Sequence, residues 1–225
     1  MHLRYDELDD LSTALPGARL RLATSAALDE TDDVLSSGER ARCAGFGSDA
    51  RRRHFALGRL AVRALAGGRL GVAPGAVPLA VAPDGAVELD GHYVSISHGG
   101  EGDAAVGLAA LADRPIGVDV EPIRARRSDL WTRILRADER PALDALGGPS
   151  DRSHTLLWSM KEAILKGQRT GLRAGARSVR LELTAVGARG GAARARAEAS
   201  GTWRLRYQRR GDLWLVAALA DAEAL

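Results

Sequence analysis

Lysine is scarce in this chain: of 32 basic residues only two, Lys161 and Lys166, are lysines. Both fall in one short stretch, Trp158 to Lys166 (WSMKEAILK). Every other generic positive charge is written as arginine, so this pair points to a need for a compact, strongly hydrated point charge. In a helix, Glu162 and Lys166 share a face at i,i+4, and Trp158 lies one turn earlier on the same side. The same spacing also serves an ordinary surface ion pair worth about 0.3–0.5 kcal/mol. Trp158 favours partial burial instead. The lysine nearer in sequence to Glu162, Lys161, points about 100° away from it on an α-helix, and its role is open.

A second acidic element precedes this helix. In Pro115–Pro122 (PIGVDVEP), Ile116, Val118 and Val120 alternate with Gly117, Asp119 and Glu121. Alternate strand residues share a face, so Asp119 and Glu121 project together while the valines turn to a core. Paired carboxylates repel, and a hard cation relieves them; Mg²⁺ takes a few carboxylates plus water and substrate phosphate. Glu162 can supply a third carboxylate, with Lys166 facing a phosphate beside the metal. The competing reading is a strand with a solvated acidic face. In Val94–Gly100 (VSISHGG), Val94 and Ile96 point inward and Ser95 and Ser97 outward. His98 ends the strand before two glycines that let backbone N–H groups approach an anion. A hairpin-end histidine with a structural hydrogen bond fits the same pattern. The other histidines show no metal spacing, which argues against zinc. Arg51, Arg52 and Arg53 open a helix, with Arg40 and Arg42 just upstream. Arginine forks at a helix start suit phosphate, or simply a solvated helix end.

The elements that must position these groups repeat. Helical patterns at Arg51–Leu65 and Ser153–Gln168 are each followed by a Gly-rich connector, Gly67-Gly68 and then Gly171 and Gly175. Strand-like segments follow at Val77–Val81 and Val179–Leu183. Each half then closes in a hairpin, turning near Gly102-Asp103 and near Gly211-Asp212. This is a weak internal duplication with its seam near Ala112–Arg114. Gly187–Ser200 (GARGGAARARAEAS) is low in complexity and reads as a mobile surface loop. The 225 residues suffice for one large domain or two small ones. The polar, acidic opening MHLRYDELDD lacks the apolar run of a secretory signal. No apolar stretch approaches the roughly 18–20 residues of a membrane span. The single cysteine, Cys43, excludes an internal disulfide and fits a reducing cytoplasm. Net charge is +3 with a pI of about 9.5, which suits an acidic partner, a phosphate ligand or nucleic acid.

In this order, Ser95-Ile96-Ser97-His98, Gly117-Val118-Asp119-Val120-Glu121 and Trp158–Lys166 resemble the motifs of the 4'-phosphopantetheinyl transferases of the surfactin-synthetase-activating type. The resemblance covers nearly the whole chain, and the last motif has the Trp…Lys-Glu-Ala form loosely tied to polyketide, peptide or lipid synthesis. It implies an α+β fold of two similar halves about a pseudo-two-fold axis, usually a monomer. Residues 1–112 would bind the coenzyme A nucleotide; residues 113–225 would carry the metal, the catalytic groups and the carrier-docking surface. The implied reaction is Mg²⁺-dependent (or Mn²⁺-dependent) transfer of the phosphopantetheine arm to a serine of an acyl, peptidyl or aryl carrier protein. Its by-product is adenosine 3',5'-bisphosphate. The resemblance makes Asp119, Glu121 and Glu162 the metal carboxylates and Glu162 the general base. Lys166 would hold the transferring phosphate. Ser97 and His98 would contact the nucleotide phosphates, His98 the 3'-phosphate. Arg42, Arg51, Arg52 and Arg53 match the family's basic region in no fixed register. Where many relatives carry Gly-Lys-Pro, this chain has Asp84-Gly85-Ala86-Val87, so an arginine must replace that lysine or the contact is absent. The carrier is expected near Arg124–Arg136, on a stripe of Leu130, Trp131, Ile134 and Leu135 rimmed by Arg126, Arg127, Arg133 and Arg136; core packing of Trp131 and Leu135 is the alternative. Neither nucleic acid nor membrane is an expected partner. A metal-dependent nuclease is a rival reading, but such sites usually put carboxylate and lysine two apart on a strand. A catalytically inactive carrier-binding module is a second rival, opposed by the intact acids and lysine.

Overall fold

The computed structural model describes residues 5–8, 15–170, 175–187 and 189–222. Most of the opening segment read for a signal, Gly171 and Ala188 lie outside the described residues. The chain is a mixed α+β fold. Strands β1 (Tyr5–Glu7) and β2 (Ala18–Thr24) are followed by a short helix α1 (Thr31–Val34), then α2 (Ser37–Ala44) and α3 (Asp49–Leu70). A two-residue ribbon, β3 (Ala80–Val81) with β4 (Val87–Glu88), precedes β5 (Tyr93–Gly99) and β6 (Val106–Ala112). Strand β7 (Ile116–Pro122) leads to α4 (Ser128–Ile134), α5 (Arg140–Ala145) and α6 (Asp151–Gly167). Four strands finish the fold: β8 (Val179–Val186), β9 (Gly190–Ala197), β10 (Gly201–Arg210) and β11 (Leu213–Ala220).

Two antiparallel sheets result, in the orders β1-β2-β6-β5 and β7-β11-β10-β9-β8. One apolar layer lies between them. Leu20, Leu22 and Leu108 of the first sheet meet Val118, Val120, Leu215 and Leu219 of the second. Helix α3 covers the outer face of the first sheet through Leu57, Leu60 and Ala61. Helix α6 covers the second through Leu156, Met160 and Ile164, which pack on Trp203, Leu205 and Trp214. Local sequence explains both helices. Ser48 and Ser150 cap their N-termini by accepting the Arg51 and Ser153 amides.

Three sequence readings need correction here. Gly67 and Gly68 do not form a connector: α3 runs through them and ends at Gly71, which takes the left-handed conformation at φ 70°. The bare Gly67 lets Val72 and Pro74 fold back against the helix, since a Cβ there would lie 2.8 Å from the Val72 carbonyl oxygen. The strand expected over Val77–Val81 shrinks to Ala80–Val81, behind a 3-10 turn at Pro74–Ala76. Most of Gly187–Ser200 is no loop. Strand β9 lies in the sheet interior between β8 and β10, with Ala193, Ala195 and Ala197 buried and Arg194 and Arg196 exposed. The Ala-Arg repeat is thus a period-two strand whose small residues face the core that α6 also lines.

The edge strands of the two sheets, β5 and β7, meet without a backbone ladder. Ser95 Oγ accepts the Val118 amide at 3.0 Å, and Ser97 Oγ accepts the Val120 amide at 3.1 Å. Serine side chains therefore close an edge that would otherwise stay open. On the opposite side of β7, Gly117 is pressed against α6: a Cβ there would sit 1.7 Å from the Ala163 carbonyl oxygen. This approach sets the strand-to-helix distance at the site. Gly117→Ala is expected to destabilise the protein by about 1–3 kcal/mol or more, read as a lower urea midpoint; an unchanged midpoint would contradict the contact.

Candidate active site

Strand β7 and helix α6 bring the predicted acids and Lys166 together. Asp119 is 3% exposed, which removes the solvated-strand reading for it. Its Oδ2 accepts Ser159 Oγ at 2.7 Å; its Oδ1 accepts Lys166 Nζ at 2.6 Å and Ser97 Oγ at 3.2 Å. Lys166 Nζ also donates to Ser97 Oγ at 2.9 Å. The expectation that Ser97 points outward is corrected: it is buried, and its hydroxyl holds Lys166, Asp119 and the β7 backbone in register. Ser159 carries no motif signal that would single it out in the sequence. It faces Asp119 only because Gly117 lets α6 approach.

Glu162 sits one turn before Lys166 with its Oε1 buried and without a hydrogen-bond partner. Burial first, then the neighbouring Asp119 and Glu121 carboxylates, push its pKa up to about 7, against the pull of Lys166. Glu121 is also raised, by burial and then Asp119, while Arg126 opposes. Arg126 Nη2 donates directly to Glu121 Oε1. The three carboxylates therefore share one electrostatic field. Among the described residues, no three Asp, Glu, His or Cys side chains converge closely enough to hold a metal ion as they stand. Lys166, Ser159 and Ser97 hold Asp119, and Arg126 holds Glu121. The donor chemistry still fits a hard cation. All three groups present oxygen, they repel one another, and the buried Glu162 Oε1 has no hydrogen-bond partner.

A cleft of about 600 Å³ opens beside this network, between α3, β5 and the end of α6. Its lining is basic: Arg42, Arg51, Arg59, His54, His98, Lys166 and Arg169 stand against one carboxylate, Asp84, among the lining residues. The structure separates the arginine cluster. Arg42 and Arg51 line the cleft; Arg52 turns to Asp49 and the Phe46 carbonyl, and Arg53 to the Gly102 carbonyl at 3.2 Å. Arg59 and Arg169 join them with no motif to mark them in the sequence. Arg59 is 6% exposed, keeps Nη1 buried without a partner and lies over the Phe55 ring. Arg169 holds a positive φ of 58° and pairs with Glu88 at 2.6 Å. The Asp84–Val87 stretch also borders the cleft, which Arg42, Arg51, Arg59 and Arg169 line as well. His98 stacks on His54 at 4.8 Å and 18° between planes. The ring opens to solvent on the cleft side, yet the protein around it, then His54 and Lys166, lower its pKa to about 4. At the two glycines after it, an added Cβ would meet Val120 at Gly99 and the Ala104 carbonyl at Gly100.

Lys161, whose role the sequence left open, is fully buried. Its Nζ pairs with Glu139 Oε2 at 2.9 Å and donates to the carbonyls of Val179 at 2.9 Å, Ile134 at 3.2 Å and Ala176 at 3.2 Å. Glu139 in turn accepts the amides of Leu181 and Arg136. At helix α4 the core-packing alternative holds for Trp131. Trp131 and Ile134 are buried in a small core with Ala176, where Leu130, Leu135 and Trp158 pack against them. The apolar stripe thus turns inward, because the second sheet and α6 leave a hollow that it fills. The arginines remain outside. Arg124, Arg126, Arg127 and Arg133, with Asp129 and Leu130, line an open groove of about 570 Å³.

No helix among the described residues is long and apolar enough to cross a membrane. Comparison with known proteins finds similarity over part of the chain. The protein is 35% identical over 82 residues to the 4'-phosphopantetheinyl transferase psf-1 of Bacillus pumilus, covering 35% of this chain and 33% of that protein. It is 35% identical over 79 residues to enterobactin synthase component D of Salmonella typhi, covering 34% of this chain and 32% of that protein. The chain thus spans about a third of the length of the curated relatives it matches. Residues 115–218, just under half of the chain and including Asp119, Glu121, Glu162 and Lys166, match the family model described as the 4'-phosphopantetheinyl transferase superfamily.

Proposed function

We propose that the protein transfers the 4'-phosphopantetheine arm of coenzyme A to a serine of an apo acyl, peptidyl or aryl carrier protein. The observation that carries this reading is Glu162: a buried carboxylate poised at about 7, one helical turn from a lysine at the rim of a basic cleft. Arg42, Arg51, Arg59 and His98 hold the nucleotide phosphates, His98 at the 3'-phosphate. Lys166, kept in place by Asp119 and Ser97, faces the phosphoryl group that moves. The carrier serine oxygen attacks the phosphorus that bears the pantetheine arm. The bridging P–O bond of the pyrophosphate breaks, adenosine 3',5'-bisphosphate leaves, and Glu162 takes the serine proton directly or through water. Asp119, Glu121 and Glu162 would hold Mg²⁺, or Mn²⁺ in its place. When bound, such an ion neutralises pyrophosphate charge and favours the leaving group.

The two halves, 1–112 and 113–225, are inferred to be duplicates about a pseudo-two-fold axis. Each packs one long helix on an antiparallel sheet, at a strand glycine (Gly107 or Gly117) whose missing Cβ makes room for helix backbone. We infer a cytoplasmic monomer of the surfactin-synthetase-activating type, in keeping with its lone cysteine. Incubation with coenzyme A, Mg²⁺ and an apo carrier should add one phosphopantetheine mass to the carrier. No mass change across several carrier types would sink the reading. Arg133, which projects from α4 at 77% side-chain exposure, belongs to the carrier side. Arg133→Glu is expected to raise the carrier KM several-fold and leave coenzyme A binding unaltered; unchanged carrier kinetics would remove it from the interface.

A further inference from the structure

Arg126 stands between two features that the transferase reading treats separately. One is the acidic centre: Arg126 Nη2 donates to Glu121 Oε1, on the strand that carries Asp119. The other is the open groove, lined by Arg126 with Arg124, Arg127 and Arg133 against a single carboxylate, Asp129. Asp129 is already shared, with Arg127 at 3.0 Å and Arg133 at 3.7 Å. The guanidinium of Arg126 is incompletely used, because its Nε is buried without a hydrogen-bond partner. A buried donor left unmet is costly, and a guanidinium gains most from a carboxylate that takes two N–H groups at once. Four cations, with Asp129 in the groove and Glu121 behind it as their acids, favour a partner whose surface carries carboxylates.

We propose that Arg126 is a positioning residue that couples carrier docking to cation loading. In the free protein it holds Glu121. When an acidic carrier surface enters the groove, a carrier carboxylate draws the Arg126 guanidinium outward and takes its Nε and Nη2 edge, and Glu121 is released to the cation shared with Asp119 and Glu162. This inference rests on the transferase reading and adds a property that transfer alone does not require. Linkage makes the coupling reciprocal: carrier must tighten the cation by the factor by which the cation tightens carrier.

The test is Mn²⁺ affinity, measured by electron paramagnetic resonance on the full chain saturated with coenzyme A. It is run with and without a carrier whose acceptor serine is replaced by alanine, so that nothing turns over. In the wild type, carrier should tighten Mn²⁺ by about 5- to 150-fold, the range of ordinary coupling energies. Arg126→Gln should bind Mn²⁺ more tightly without carrier, and carrier should then change its affinity less than about twofold, well below that coupling range. Arg126→Lys, which keeps a charge but loses the fork, should fall between. Equal Mn²⁺ affinity in wild type and Arg126→Gln, or full coupling retained in both variants, overturns the proposal. The transferase reading fails separately, by absence of phosphopantetheine transfer from the wild type. Transfer with no carrier effect on Mn²⁺ sinks the coupling alone.

Discussion

Glu162→Gln is expected to lower kcat/KM for carrier modification by about 10²–10⁴, the usual contribution of a positioned general base. The substitution keeps the side-chain shape and removes the group proposed to accept the serine proton. Its carboxylate has a pKa of about 7, because burial and the nearby Asp119 and Glu121 charges disfavour ionisation. A base works in its ionised form. In the free protein, kcat/KM should therefore rise with pH through about 7 and fall about tenfold for each unit further below it. A cation bound beside Glu162 favours the ionised form, so raising Mg²⁺ should move this limb to lower pH. The variant should lose the limb altogether. A pH–rate profile recorded at two Mg²⁺ concentrations checks both parts. Activity in Glu162→Gln within a few-fold of wild type, or the same acid limb in the variant, would remove Glu162 as base.

The second large effect is on stability. Lys161→Met is expected to destabilise the protein by about 3–5 kcal/mol, since it leaves Glu139 charged and buried without its partner. For a chain of this size that is roughly 6–20 °C in Tm. Burial lowers the Lys161 pKa, and the Glu139 charge opposes that shift. Replacing both partners, as Lys161→Met with Glu139→Leu, should recover most of the loss, because apolar pairs of similar volume often do as well as a buried ion pair. Thermal melts of the single and double variants decide this. A single variant within about 1 kcal/mol of wild type would mean that the carbonyl contacts and the ion pair contribute little; a surface pair contributes no more than that. The knot also ties α6 to the segments that flank α4. Loss of the lysine should therefore disturb the α4 groove before the basic cleft beside α3.

Much of the site was legible because it depends on local periodicity. Strand alternation put Asp119 and Glu121 on one face, and helical spacing joined Glu162 to Lys166; both follow from backbone geometry within a few residues. The scarcity of lysine singled out two positions, and each has a specific partner: Asp119 for Lys166 and Glu139 for Lys161. Helical geometry set Lys166 apart from Lys161, but the partner of Lys161 was not legible. Glu139 lies in a 3-10 turn 22 residues before Lys161, and no local pattern links the two.

The remaining differences share this cause. The seryl hydroxyls of Ser95 and Ser97 alternate correctly along β5, but only the approach of β7 makes their face an interior one. Arg52 and Arg59 are equally basic in sequence. The packing of α3 sends one to Asp49 at the helix start and leaves the other buried at the cleft. The Ala-Arg run of β9 looks loop-like until β8 and β10 supply its hydrogen bonds. Sequence alone therefore determined the chemical groups, their faces and the order of the elements, since these follow from composition and backbone period. Tertiary structure decided which groups share a field, which are paired and which oxygen stays unmet, because those depend on distances between segments far apart in the chain.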